Sequence, residues 1–132
     1  MATQNAINSS SNLQDVAIEF VIDGGGFAIT AGVKGDLEIP FACTISRVTM
    51  MADQSGSIVV DIWKETYDNY PATDADSITA SAPPTITTST KSQDSTLTGW
   101  TTSITAGDIL RFNVDSATAI TRVILSLKVT KV

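Results

Sequence analysis

The candidates for acid–base catalysis in this sequence are its carboxylates. The chain has no histidine and a single cysteine, Cys43, beside eleven aspartates and three glutamates. A Ser-His-Asp triad and a histidine metal site are therefore excluded. No histidine or predicted helix start lies near Cys43 to lower the pKa of its thiol, so we expect this residue to be a small buried hydrophobe.

The carboxylates are spread along the chain and form no recognisable catalytic pair. Most aspartates fall near the ends of predicted strands, where an aspartate side chain commonly bonds to its own backbone two residues on. No spacing selects two of them as the acid and base of a glycosidase. We predict that the protein is not an enzyme and needs no cofactor. Calcium at clustered turn oxygens is the one alternative left open, although no EF-hand spacing occurs.

One aromatic segment is a candidate binding loop. Tyr67, Asn69 and Tyr70 stand among polar residues, which favours exposure of the two rings. Exposed aromatic faces stack on sugars or fill partner interfaces. For Trp63 and Trp100 we expect a structural role instead, capping the ends of the core.

The first fifteen residues differ from the rest of the chain. Residues 1–15 are rich in Asn, Gln and Ser and show no hydrophobic period, so we predict a flexible or partner-ordered arm before a domain over residues 16–132. The arm lacks the basic-then-apolar layout of a signal peptide. Its candidate partner-binding residues are Ala2, Gln4, Asn5, Ile7 and Asn8.

The composition of the chain favours an all-β fold. Thr, Ile and Val make up 43 of 132 residues, and such β-branched side chains are enriched in strands. Two-residue alternation and turn residues predict a fold of about eight strands. The nine candidate segments are residues 16–22, 27–33, 37–41, 44–52, 57–64, 109–114 and 120–129, with two short strands near 76–80 and 91–97 in a loop-rich region. Turns are predicted at residues 23–26, 53–56 and 115–118, and a bulge between Ile45 and Val48. The predicted fold is a single antiparallel β-sandwich, jelly-roll-like.

The charge of the chain limits its partners. The net charge is −6, which repels phosphate backbones and predicts no nucleic-acid partner. No apolar run reaches the ~18 residues of a membrane span, so we expect no membrane partner. A small sandwich leaves strand edges unpaired, and we expect the protein to associate with itself to cover them.

Four stretches carry a resemblance to a known family. Residues 35–45, 52–63, 97–100 and 106–112 together resemble a small β-sandwich module of tailed-bacteriophage virion surface proteins, of the capsid-decoration and tail- or head-fibre type. The opening residues 1–8 are similar to the starts of such proteins. The resemblance covers roughly residues 16–131 in addition to this opening.

The resemblance implies a non-enzymatic role on the virion surface, after assembly in the host cytoplasm. It implies a homotrimer whose partner is the major capsid protein or another virion protein. We expect a decoration or cement protein on the phage head, with the arm lying across neighbouring capsid subunits. The alternative is a module of a tail or head fibre that binds host-surface glycans through Tyr67, Asn69 and Tyr70.

Overall fold

A computed structural model describes residues 14–132, and this part of the chain is built almost entirely of β-strands. Within it, no helix is long and apolar enough to cross a membrane. The elements are β1 (Asp15–Asp23), β2 (Gly32–Ile39), β3 (Cys43–Glu65), a short 3-10 helix (Asp74–Asp76), β4 (Thr85–Asp94), β5 (Ser103–Ile104), β6 (Asp108–Thr118) and β7 (Arg122–Lys131). All strand pairs are antiparallel. The predicted all-β class is confirmed.

Two strands, β3 and β4, each pass through both layers of the sandwich. Residues 43–52 of β3 pair with β7, whereas residues 57–65 pair with β6. β4 follows the same course, with residues 91–94 beside the first half of β3 and residues 85–89 beside the second half. The first layer therefore has the order β1-β7-β3-β4, and the second layer has the order β2-β6-β3-β4.

Apart from the two-residue β5, which pairs with residues 43–44 of β3, this arrangement gives eight strand segments in two layers of four. Four steps that cross from one layer to the other are β1 to β2, the two halves of β3, the two halves of β4, and β6 to β7, whereas the second half of β3 and the first half of β4 pair within the second layer. Two four-stranded layers connected in this way form a jelly roll. The predicted jelly-roll-like sandwich of about eight strands is confirmed.

The core lies between the two layers. Phe20 of the first layer stacks on Phe112 of the second, with ring centroids 4.3 Å apart. Gly35 lies under this pair, because a Cβ there would come within 2.8 Å of Phe20 Cζ. Cys43 is buried among these core side chains, and burial raises the pKa of its thiol. The largest fully buried side chains are Phe112, Met50, Ile58, Ile62, Ile86, Ile104, Leu110, Ile120, Leu125 and Leu127.

The predicted turn at residues 53–56 is wrong, since β3 continues through it. This segment is where β3 passes from the first layer to the second, and its pairing with β4 shifts register there. The Asp53 carboxylate accepts hydrogen bonds from the backbone N–H groups of Thr121 and Arg122. Residues 53–56, whose types are typical of turns, therefore form a bend within one strand.

Other predicted boundaries also change. Residues 27–33 do not form a separate strand: Gly24 and Ile29 instead donate backbone hydrogen bonds to Thr121 and Ile120. The turn predicted at residues 115–118 is strand, because β6 continues beside residues 57–59 of β3. The predicted strand over residues 76–80 is replaced by the end of the 3-10 helix and one bridge between Trp63 and Ser77. The predicted bulge is confirmed by a register shift between Ile45 and Arg47.

Candidate functional site

An ion pair stands on the outer face of the second layer. Asp36 of β2 lies directly opposite Arg111 of β6 in the strand register. Arg111 Nε donates to Asp36 Oδ1 at 2.8 Å, and Nη2 donates to Oδ2 at 3.1 Å. Two parallel charge-assisted hydrogen bonds fix the plane of the guanidinium as well as its position.

The loop after β3 folds back onto this pair through Tyr70. The Tyr70 hydroxyl donates to Asp36 Oδ2 at 2.9 Å and accepts from Arg111 Nη2 at 3.0 Å. The Arg111 guanidinium also lies 5.3 Å from the centroid of the Tyr70 ring, a cation–π distance. Tyr70 therefore holds the loop after β3 against the outer face of the second layer.

Electrostatics keep this cluster charged. The hydrogen bond from Arg111 is the largest influence on Asp36 and lowers the pKa of its carboxyl, against the opposing effect of burial; the Tyr70 hydroxyl lowers it further. The hydrogen bond to Asp36 is in turn the largest influence on Arg111 and raises the pKa of its guanidinium. At neutral pH the sheet face thus presents a rigid, fully ionised pair beside the loop.

Tyr67 and Asn69 remain on the solvent side of the loop. The Tyr67 side chain is 78% exposed. The backbone is shaped by hydrogen bonds from Tyr70 N to Tyr67 O and from Asn69 N to Thr66 Oγ1, both at 3.3 Å. The loop therefore offers an open aromatic face at Tyr67 and an exposed polar side chain at Asn69, two positions apart in the sequence.

Sequence reasoning found the loop but missed the pair beneath it. Asp36 and Arg111 are 75 positions apart, and each occurs in an ordinary alternating strand pattern. Only the pairing of β2 with β6 brings them together, so no local signal could have found them.

A second polar cluster is buried and structural. Asp61 Oδ2 accepts a hydrogen bond from Trp63 Nε1 at 3.0 Å, and Asp61 Oδ1 accepts from Ser77 and Thr79 at 2.7 and 2.6 Å. This fixes the segment after the 3-10 helix beside β3. Trp63 is nearly buried, and Trp100 packs against the core while its Nε1 donates to the carbonyl oxygen of Ala82. Both tryptophans have the structural role expected of them.

The remaining predicted site residues fall elsewhere. The arm residues Ala2, Gln4, Asn5, Ile7 and Asn8 lie outside the described residues. Within residues 14–132, no group of three or more Cys, Asp and Glu side chains is placed to hold a metal ion.

Comparison with known proteins does not assign the chain to a family. No protein-family model and no curated protein matches the chain. Among solved structures it is similar to a chain of infectious bursal disease virus Gx strain, with 14% identity and a TM-score of 0.20. The match covers 90% of this chain and 40% of the viral one, so the chain spans about two fifths of the length of its match. At that TM-score the similarity supports no inference about fold or function.

Proposed function

We propose that this chain is a non-enzymatic structural protein of a tailed-phage virion, a decoration or cement protein on the head surface. The observation that supports this most is the jelly roll with uncovered strand edges. Within residues 14–132, β1 pairs with β7 alone, β2 with β6 alone, and β4 with β3 alone. Such edges offer backbone donors and acceptors to a neighbouring chain.

The proposed mechanism is stabilisation by binding. A protein that binds the assembled shell better than its free subunits shifts the equilibrium toward the shell by mass action. The arm would leave the sandwich from a fixed point, because Lys131 N donates to Gln14 O at 2.8 Å at the edge of the first layer. Arm contacts on a neighbouring capsid subunit would then add area that the sandwich alone lacks.

Deleting residues 1–13 tests this mechanism. We expect the truncated chain to keep its thermal transition, because every described contact remains, but to bind undecorated heads at least tenfold more weakly than the full chain. The measurement is a co-sedimentation isotherm for both proteins. If the truncated and full chains bind heads with equal affinity, the arm does not contribute to binding.

The exposure of Tyr67, in the loop that Tyr70 holds against the Asp36–Arg111 pair, supports a second candidate function, binding of host-surface glycans. Tyr67→Ala should then abolish binding on a glycan array or to host cells. Phe27→Ala is the matched control, since Phe27 is also 78% exposed but lies in another loop. An array profile that Tyr67→Ala leaves unchanged would reject this site.

A further inference from the structure

A slot opens into the sandwich beside the edge strand β4. One wall is formed by residues 82–85 next to the second layer, and the other by residues 92–94 of the first layer. Val48, a buried core residue, also lines the slot, whose volume is about 170 Å³. An engineered cavity of about 150 Å³ holds a benzene molecule, so one aliphatic side chain fits in this slot.

The chemistry of the slot favours an uncharged side chain. Residues 77–90 include no charged side chain, and Pro84 in the first wall is buried. Of the residues that line the slot, only Asp94 is charged. Its Oδ1 already accepts hydrogen bonds from the backbone N–H groups of Thr96 and Leu97. An aliphatic group can therefore enter without burying a new charge.

The strand beside the slot has a free edge. Within residues 14–132, β4 pairs with β3 alone, and its residues 91–94 stand at the edge of the first layer. Alternate backbone N–H and C=O groups of these residues point away from β3. An extended segment that pairs with them directs every second side chain toward the interior, where the slot lies.

We propose that the chain's own arm, residues 1–13, docks along this edge of β4 and places the side chain of Ile7 in the slot. The arm contains no charged side chain and no proline. It can therefore supply the backbone donors of a strand, and it brings no side-chain charge that would have to be buried.

The arm is long enough to reach the slot. Its fixed point is Gln14, whose carbonyl oxygen accepts from Lys131 N at the opposite edge of the first layer. The edge strand β4 lies three strand spacings away, about 14 Å. Along the strands, Val48 is level with Leu127, three residues or about 10 Å from Thr130 beside the fixed point. The direct separation is therefore about 17 Å.

This separation selects one side chain of the arm. The arm has two branched aliphatic residues, Ile7 and Leu13. Leu13 is the neighbour of Gln14 and reaches only about 3 Å from it, whereas Ile7 is seven residues away and reaches about 23 Å in an extended chain. Only Ile7 combines sufficient reach with the shape that the slot accepts.

Docking within one chain needs little buried area. A short flexible linker gives an attached segment an effective concentration in the millimolar range, so a weak contact is populated. One side chain and a few backbone hydrogen bonds bury far less than the ~1,200 Å² of a stable interface between separate chains. The docking concerns the free chain and does not depend on the proposed function.

NMR of the full chain and of the chain without residues 1–13 tests the docking. We expect the amides of residues 91–94 that point away from β3 to exchange about threefold more slowly in the full chain. We also expect a nuclear Overhauser effect between methyl groups of Ile7 and Val48. A threefold effect is weak docking, so the truncated chain still unfolds in a cooperative transition.

Ile7→Asn should abolish both signals. Leu13→Asn is the matched control and should leave both unchanged, because Leu13 cannot reach the slot. Equal exchange rates in the full and truncated chains would overturn the proposal. So would protection that survives Ile7→Asn or that falls on the free edge of β1. Protection that weakens on dilution, with a solution mass above one chain, would place the arm on a neighbouring copy and would also overturn it.

Discussion

The ionised carboxylate of Asp36 holds the residues of the candidate site together. It accepts hydrogen bonds from Arg111 and Tyr70, and these join two strands and a loop on one carboxylate. The folded-state pKa is below the ordinary value of 3.8. The charged form therefore stabilises the fold above that pH, and the contribution is lost as pH falls through the lowered pKa.

Asp36→Asn should lower the free energy of unfolding by about 1 kcal/mol at pH 7, the scale of a charged hydrogen bond that water partly screens. The loss should shrink as the pH falls below 3.8 and through the lowered pKa of Asp36, because the wild-type carboxyl is then protonated too. Urea titrations at pH 7 and at the lowest pH at which both proteins remain folded measure it. Asp68→Asn, at an exposed position in the loop after β3, is the control, and a loss that is equal at both pH values would contradict the assignment.

Asp61→Ala should be more damaging, because three side-chain donors and one backbone donor lose their acceptor together. Trp63 Nε1, the half-buried Ser77 Oγ and Thr79 Oγ1 donate to this carboxylate, as does the backbone N–H of Ile62. We expect a loss of about 3 kcal/mol in the free energy of unfolding, since each unsatisfied buried donor costs on the order of 1–3 kcal/mol. Asp61→Asn retains one acceptor oxygen and should lose less. A change below about 0.5 kcal/mol for Asp61→Ala, a typical surface value, would contradict this role.

At the scale of the elements, the crossing of β3 between layers determines the architecture. The strand changes layer near Gly56, where an added Cβ would meet the carbonyl oxygen of Thr118 and the side chain of Ile120. No other residue type fits this close approach without moving the backbone. The same crossing explains why β3 is 23 residues long.

Gly56→Ala should therefore destabilise the fold by about 2 kcal/mol or more, as overpacking against the backbone does. Ser55→Ala, one residue earlier and exposed, is the control and should be nearly neutral. Thermal unfolding of the two variants gives the comparison. If both variants melt with the wild-type chain, the crossing does not depend on close packing at Gly56.

Strands with one face buried along their whole length could be predicted from alternation, whereas the irregular segments and the connections could not. The pattern of β1 and β7 is local, since one face is buried along the whole strand, and both were found with nearly correct ends. Asp53 to Gly56 has the composition of a turn, and what makes it a crossing is contact with Thr118 and Thr121, over sixty positions away. Because these partners are distant in the sequence, the local pattern at residues 53–56 does not indicate them.

The whole molecule has two outer faces with different chemistry. The outer face of the second layer presents the ionised Asp36–Arg111 pair. The loop that Tyr70 holds against this pair carries the exposed Tyr67, and such a surface suits a polar ligand. The outer face of the first layer presents Ile124 half-buried between the exposed side chains of Val21 and Met51. Composition predicted the class of fold and the acidic charge, but the meeting of Asp36 with Arg111 on one face depends on strand order and could not be read from the chain.

The central proposal, a structural role on the phage head, is tested most directly by co-sedimenting the full chain with undecorated heads of the phage that encodes it. We expect saturable binding at a fixed number of copies per head, together with greater resistance of the decorated heads to heat. A chain that stays in the supernatant at every concentration, while remaining folded, would contradict the proposed function.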